Sequence, residues 1–427
     1  MGVLNDAKLG WTVARDLLRA RRVRSKLAGQ LAARAPLSRR RFEIGVYFAD
    51  GDVNLYQIRQ WYKPLLELSK THPVVILGRN PSGASALLDE CPLPVAYVRK
   101  VSELEAFIAE QDLKIVFYVN QNARNFQMMR YGRRWHVFIN HGESDKMYMT
   151  TNQFKAYDYS FVAGDAAIAR LNRVLWDYDF DKRAIPIGRP QADHYSGIVP
   201  FERDGRTVVL YAPTWEGDRP AAAYGSIASH GVGLVRDILS SPDHRLIYRP
   251  HPRSGVLDPA YAAANREIVA AIAAANREDP TAQHVHDTGA ELGWQLAVAD
   301  VAVVDVSAMV YDRLATGKPL LITRPVSPDA EIDTGGYLSD AEWLLAEDAP
   351  EVRARIDRLS HDSAARVRLG RWVTHYFGDT SPGAATRRFH GAVEGLLAEW
   401  DRNAALHARD EPVDEHDVYA EHDEERL

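Results

Sequence analysis

Four short stretches of the chain carry residue types that could do chemistry. In Ile139-Asn140-His141-Gly142 an imidazole follows an apolar run and precedes a glycine, a placement suited to a general base. Tyr211-Ala212-Pro213-Thr214-Trp215 closes a second apolar run with a hydroxyl and an indole. In Arg249-Pro250-His251-Pro252 two prolines stiffen a loop that presents a cation and an imidazole, which suits the oxygens of a phosphate or pyrophosphate. Asp305-Val306-Ser307-Ala308 lies between a β-branched run and a helical pattern, where unpaired N–H groups of a first turn attract anions. Each stretch also has a plain reading. Asp305 and Ser307 would equally serve as helix caps, and a lone loop histidine is more often structural than catalytic.

Other polar pairs point less clearly to chemistry. Asp50-Gly51-Asp52 imitates a metal-binding pair, but Gly51 suits a turn and Asn54 a helix cap. His284 and His286 share strand spacing, yet no further ligand lies near them, so structural roles are expected. Asp312, two turns into the helix after Ser307, would either reach a ribose or sit at the edge of the core. No catalytic metal and no cofactor are expected.

The pattern around these stretches is one of strands alternating with helices, which predicts parallel, doubly wound sheets. The predicted strands are Phe42–Phe48, Val74–Leu77, Val95–Val98, Lys114–Val119, Trp135–Ile139 and Tyr159–Val162 in the first half. In the second half they are Thr207–Tyr211, Arg245–Tyr248, His284–His286, Val301–Val304 and Leu320–Thr323. Helices are predicted between them, among them Tyr56–Lys70, Glu103–Glu110, Ala166–Leu175, Leu234–Ser240 and Tyr261–Asn276. Three more, Glu351–Leu359, Ala364–Tyr376 and Ala384–Trp400, follow the last strand. Gly188, Pro190, Gly197 and Pro200 mark the boundary between two α/β domains, 42–197 and 198–380. Residues 381–400 form a helix that would cross back to the first domain, and 401–427 read as an acidic, disordered tail. Ligands of such sheets bind beyond the carboxyl ends of the strands, so the cleft between the domains is the expected site.

With 427 residues the chain can build both domains, and its single cysteine, Cys91, excludes internal disulfides. No run reaches transmembrane length, and the first residues lack the apolar core of a signal peptide, so a cytoplasmic location is expected. The net charge of −6 averages a basic start and an acidic end. Residues 4–34 read as one amphipathic helix with Leu9, Val13, Leu17, Ala20, Val23, Leu27 and Leu31 on one stripe. Lys8, Arg15, Arg19, Arg22 and Lys26 project on the far side. Such a segment, within domain 1–41, predicts peripheral binding to an anionic membrane surface, the alternative being packing on its own domain. The arginines at 39–41 lack stacking aromatics, and nucleic acid is not an expected partner.

Taken in order, the motifs resemble those of the CDP-glycerol glycerophosphotransferase family, which includes teichoic acid primases and polymerases. The family pairs a His-Gly with an Ala-Pro-Thr-Trp segment, a His-Pro loop and an Asp-Tyr-Ser-Ser turn. Here these stand as His141-Gly142, Tyr211 to Trp215, Arg249 to Pro252, and Asp305 to Ala308. Gly188-Arg189-Pro190-Gln191-Ala192-Asp193 resembles the family's Gly-x-Pro-x-x-Asp, and Lys146 falls where the family often has a lysine. The resemblance spans roughly 135–325. It departs at Asn140, where the family has Trp, and at Val306 and Ala308, which replace an aromatic and a hydroxyl.

The resemblance implies a GT-B fold, two Rossmann-like domains facing across a cleft, here preceded by the amphipathic helix. It implies transfer of a polyol phosphate from CDP-glycerol, or a related CDP-polyol, to a hydroxyl of a lipid-linked wall polymer or glycan, with release of CMP. His141 would be the catalytic base. Thr214, Trp215, Arg249, His251, Asp305, Ser307 and Ala308 would bind the donor, and Lys146 and Asp145 would contact acceptor or phosphate. The location implied is the cytoplasmic face of the membrane. Competing readings are a GT-B glycosyltransferase using a nucleotide sugar and an inactive scaffold of the same fold.

Overall fold

The computed structural model describes residues 2–143, 151–289, 292–333 and 335–408. The first sheet contains β1 (Ile44–Phe48), β2 (Val74–Gly78), β3 (Val95–Tyr97), β4 (Ile115–Tyr118), β5 (Trp135–Phe138), β6 (Tyr159–Val162) and β7 (Ala184–Pro186). The second contains β8 (Thr207–Ala212), β9 (His244–Tyr248), β10 (Val285–His286), β11 (Val301–Val304), β12 (Leu320–Thr323) and β13 (Trp343–Leu344). Their spatial orders are β3-β2-β1-β4-β5-β6-β7 and β10-β9-β8-β11-β12-β13. Every strand pair is parallel. Both orders reverse direction of travel beside the first strand, which opens a crevice at the carboxyl edge of each sheet.

The strands are apolar on both faces because helices cover both faces. Ile44, Val46 and Phe48 enter one core with Ile76, Phe117 and Val137, while Tyr47, Val75, Leu77 and Val116 enter the core opposite. β7 and β13 escape sequence reading. β7 ends in a proline at the sheet's rim, and β13 is two residues long. The single helix expected over Tyr56–Lys70 is two, Leu55–Arg59 and Tyr62–Leu68. The break at Gln60-Trp61 buries the Trp61 ring and lets its indole N–H donate to the Asn140 carbonyl.

The chain passes between the domains twice. After helix Ser363–Phe377 it returns to the first domain as helix Ala384–Leu406, with Phe389, Val393, Leu396 and Leu397 in the core beneath β1, β4 and β5. This helix runs through the segment expected to begin a disordered tail, and residues 409–427 lie outside the described residues.

The N-terminal helix spans Gly2–Ala32. Its last turns pack on helix Pro81–Glu90: Leu27 is buried, Gln30 donates to the Ser85 carbonyl (3.0 Å), and Arg34 donates to the Leu88 carbonyl (2.6 Å). The basic stripe is not wholly on the far side as expected. Arg19 pairs with Asp52 (3.4 Å) and Lys26 with Asp89 (2.5 Å), because carboxylates on the domain draw them in. Leu17 and Leu18, by contrast, remain 66% and 57% exposed.

Candidate active site

The register of the first sheet aligns Tyr47 with Tyr118 and Tyr118 with Phe138. Asp50, Asn120 and Asn140 therefore follow three adjacent strands in one row off the carboxyl edge. Asn140 has a left-handed backbone (φ +54°), which asparagine tolerates better than most residues. Its side chain clamps the next two residues, accepting from the His141 N–H (2.8 Å) and donating to the Gly142 carbonyl (2.7 Å). The resemblance marked Asn140 as a departure; physically, it shapes the turn that presents the histidine.

His141 Nδ1 lies 2.9 Å from the Val119 carbonyl. A carbonyl only accepts, so Nδ1 carries the proton and Nε2 keeps its lone pair. Burial pushes the imidazole pKa below its ordinary value, with Arg189 acting in the same direction against the Val119 bond and Asp50. Tyr56 stands edge-on to the ring at 5.9 Å. A neutral imidazole with a bare Nε2 is the form a general base requires.

His141 borders a cavity of ≈ 420 Å³ whose polar lining is Asp50, Gln57, Asn120, Gln121, Asn122 and Asn140. The Asp50 carboxylate accepts from the side-chain amides of Asn54, Asn120 and Asn122, each at 2.8 Å. Asn54 thus does not cap its helix through its side chain. Asp52 turns away to Ser82 (2.8 Å) and Arg19, so the two carboxylates diverge. Helix Pro81–Glu90 presses on this turn, and a Cβ on Gly83 would sit 2.1 Å from the Asp50 carbonyl. Sequence reading missed these carboxamides, which come from segments some seventy positions apart; their only shared signal is position just past a strand. Asp145 and Lys146 lie outside the described residues. Glu143, just before them, forms a buried ion pair with Arg170.

In the second sheet β9, β8 and β11 are neighbours, with Tyr211 aligned to Tyr248 and Ala212 to Val304. The loops after them are bonded together: Arg249 N–H donates to the Tyr211 carbonyl (2.9 Å) and His251 N–H to the Pro213 carbonyl (3.2 Å). His251 Nδ1 accepts from the Arg253 N–H (3.1 Å), so in the neutral ring Nε2 carries the proton. Burial and Arg253 lower its pKa, opposed by Glu216. The Arg253 guanidinium stacks 3.7 Å from the centre of the Trp215 ring. Arg249 pairs with Asp287 and donates to the Gly289 carbonyl (3.0 Å), which holds its fork in place.

Asp305 differs from its expected role at a donor. Its carboxylate is fully buried, accepting from Thr214 N–H (2.7 Å), Ser226 N–H (3.1 Å) and the Thr323 hydroxyl (2.6 Å). Burial raises its pKa to about 6. It is a fastener beneath the edge that ties the Thr214 loop to β11 and β12. Ser307 is the N-cap of helix Ala308–Leu314, accepting from Met309 N–H (3.3 Å) and donating to the Asp305 carbonyl (3.2 Å). Ala308 is exposed at the first helical position. Glu216, which sequence reading passed over, accepts from the N–H groups of Gly255 (2.9 Å), Leu257 (2.8 Å) and Asp258 (3.0 Å). It thereby fixes the loop that carries Arg253.

One arginine links the two edges. Arg189, at the domain junction, pairs with Asp312 and donates to Gln60 Oε1 (3.1 Å) and the Tyr195 hydroxyl (3.3 Å). A Cβ on Gly142 would lie 3.9 Å from Arg189 Nη1. Asp312 is therefore bound in a buried ion pair and is not available to a ribose. The His141-Gly142 turn and the helix begun by Ser307 touch the same guanidinium. Two parallel sheets, with a crevice at the carboxyl edge of each and a C-terminal helix that returns to the first domain, define the architecture.

The wall teichoic acid polymerase TagF has a solved structure that matches 93% of this chain and 99% of its own, at a TM-score of 0.55 and 11% identity. The fold is GT-B. A putative UDP-N-acetylglucosamine 2-epimerase from Listeria monocytogenes matches 83% of this chain and 96% of its own, at TM-score 0.53 and 12% identity. At such identities the likeness is one of fold. No family model and no curated protein sequence matches the chain.

Proposed function

We propose that the chain is a GT-B transferase that moves a polyol phosphate, glycerol phosphate foremost, from a CDP-activated donor to a hydroxyl of a lipid-linked acceptor. The observation that carries this reading is the pair of histidines in opposite tautomers on the two edges, a bare nitrogen at His141 and an N–H at His251. The acceptor hydroxyl gives its proton to His141 Nε2 as its oxygen bonds to the β-phosphorus. The bond from that phosphorus to the CMP oxygen breaks, and CMP departs with the electron pair. His251 Nε2–H, Arg249 and the edge around Ser307 would stabilise the phosphate oxygens, since phosphoryl transfer depends on positioning and electrostatics. Trp215, with Arg253 on its ring, and Thr214 would border the nucleotide.

The exposed Leu17 and Leu18 support docking of the N-terminal helix to an anionic membrane, where a lipid-linked acceptor resides. Arg19 pairs with Asp52 on the turn after β1, which ties this part of the helix to the first domain.

The test is a donor panel of CDP-glycerol, CDP-ribitol and UDP-sugars, read by the nucleotide released. CMP from a CDP-polyol is expected. Release of UDP would favour glycosyl transfer, and turnover of neither would favour a scaffold.

A further inference from the structure

We infer that Trp61 is a positioning residue for His141: its indole N–H holds the peptide plane between Asn140 and His141, and with it the direction of the imidazole. This rests on the proposed transfer, because it takes His141 as the group that meets the acceptor hydroxyl.

That peptide is clamped at both ends. Trp61 donates to its carbonyl, and the Asn140 side chain accepts from its N–H (2.8 Å). Rotation of the plane would break both bonds together. Asn140 sits in a left-handed conformation (φ +54°), which few side chains favour and which surrounding bonds must sustain. His141 begins where this plane ends. The plane therefore decides whether ring Nδ1 reaches the Val119 carbonyl (2.9 Å), and so where Nε2 points.

The donor is itself held. Trp61 is 1% exposed, and a buried indole N–H needs an acceptor. Its ring lies 5.4 Å from Phe389 on the returning helix. Phe389 in turn packs against Phe117 of β4 (5.9 Å) and Phe161 of β6 (6.2 Å). Trp61 is thus anchored to the sheet whose edge carries His141 and to the helix that comes back from the second domain. The preceding residue, Gln60, accepts from Arg189 (3.1 Å), the arginine paired with Asp312. One helix break, at Gln60-Trp61, therefore touches both the histidine turn and the ion pair that reaches the second domain. Misplacing a reacting group by about 1 Å can cost about a hundredfold in rate, so such support matters to a base.

The test separates the N–H from the bulk of the ring. Benzothienylalanine in place of Trp61 keeps the fused rings and replaces the N–H by sulfur, while Trp61→Phe removes the N–H and part of the ring. Phe389→Leu disturbs the same packing and leaves the N–H in place. Imidazole nitrogen NMR of the full chain reads the His141 tautomer without any substrate, its signal assigned by its loss in His141→Ala. Steady-state kinetics with the productive donor read kcat and KM. In the unaltered chain and in Phe389→Leu the ring proton should sit on Nδ1. Both replacements of Trp61 should give a mixture of tautomers and lower kcat about tenfold to a hundredfold, with KM within about twofold. Phe389→Leu should lower the melting temperature yet keep kcat within about twofold. A tautomer unchanged by both replacements of Trp61, or an equal loss of kcat in Phe389→Leu, would overturn the assignment. Silence of the donor panel would sink the transferase reading, and the tautomer would still decide the role of Trp61.

Discussion

His141 and His251 carry their ring protons on opposite nitrogens. The Val119 carbonyl accepts from the Nδ1–H of the first, and the Arg253 backbone N–H donates to Nδ1 of the second. Backbone groups thus set both tautomers, independently of any ligand. One ring is fitted to take a proton, the other to offer one.

Replacing His141 by alanine should lower kcat/KM with the productive donor by about two to four orders of magnitude while nucleotide binding persists. Because burial lowers its pKa, the base stays neutral below the usual histidine range. The acid limb of kcat/KM should therefore fall below about pH 6.5. An alanine variant near wild-type activity, or an acid limb well above that value, would remove His141 from the mechanism.

At the opposite edge, Arg249→Ala should weaken the donor complex by about 1.5–3 kcal/mol, the range of a hydrogen bond to a charged group. Ser307→Ala should cost less, since its hydroxyl already donates to the Asp305 carbonyl and backbone donors remain. Isothermal titration with the donor's nucleoside diphosphate ranks the two. Equal and negligible effects would place the pyrophosphate elsewhere.

The Arg189–Asp312 pair is buried, with side chains 7% and 9% exposed. Removing either partner leaves a buried charge, and urea denaturation of Arg189→Ala or Asp312→Ala should show a loss of about 3–5 kcal/mol. The double variant should lose less than the sum of the two. Additive losses would mean that the two residues do not act as a pair.

His284 accepts the Leu246 N–H at Nδ1 (3.1 Å), and burial beside Arg245 lowers its pKa to about 4. In the unfolded chain its pKa is near 6.5, so the unfolded state binds the proton first as pH falls. The stability this neutral ring contributes is intact above about pH 6.5 and is lost progressively toward pH 4. Asparagine at 284 can accept the same N–H but cannot take a proton. Relative to His284→Asn, the wild type should lose about 2 kcal/mol between pH 8 and pH 5. Parallel pH profiles from chemical denaturation would contradict this.

For the N-terminal helix, removing all of it would uncover Leu27's pocket, so the informative change is smaller. Leu17→Glu with Leu18→Glu should abolish flotation with anionic liposomes and leave the melting temperature within a few degrees. Flotation of the unaltered chain should weaken with salt. Equal flotation of both chains would show that these leucines do not meet the bilayer.

Much of this was legible in the chain. Val301–Val304 and Leu320–Thr323 form the strands expected, because four β-branched or aliphatic residues bounded by polar turns leave no other buried element of that length. Strand ends such as His141 and Arg249 were legible for the same reason. Side-chain direction was not. Asp305 reads as a cap by position, but its carboxylate turns inward to three donors contributed by Thr214, Ser226 and Thr323. The Asp50 network needs β1 and β4 placed side by side, and no spacing in the sequence encodes that.

The two crossings between domains meet at a single carboxylate. Asp193, on the first, accepts from the N–H groups of Gly383 (3.1 Å) and Thr386 (2.7 Å) at the start of the returning helix. Two passages tied together at one carboxylate cannot part there independently, so that place becomes a pivot for both. Asp193→Ala should loosen that pivot and lower the melting temperature, because the first turn of the returning helix then loses its acceptor.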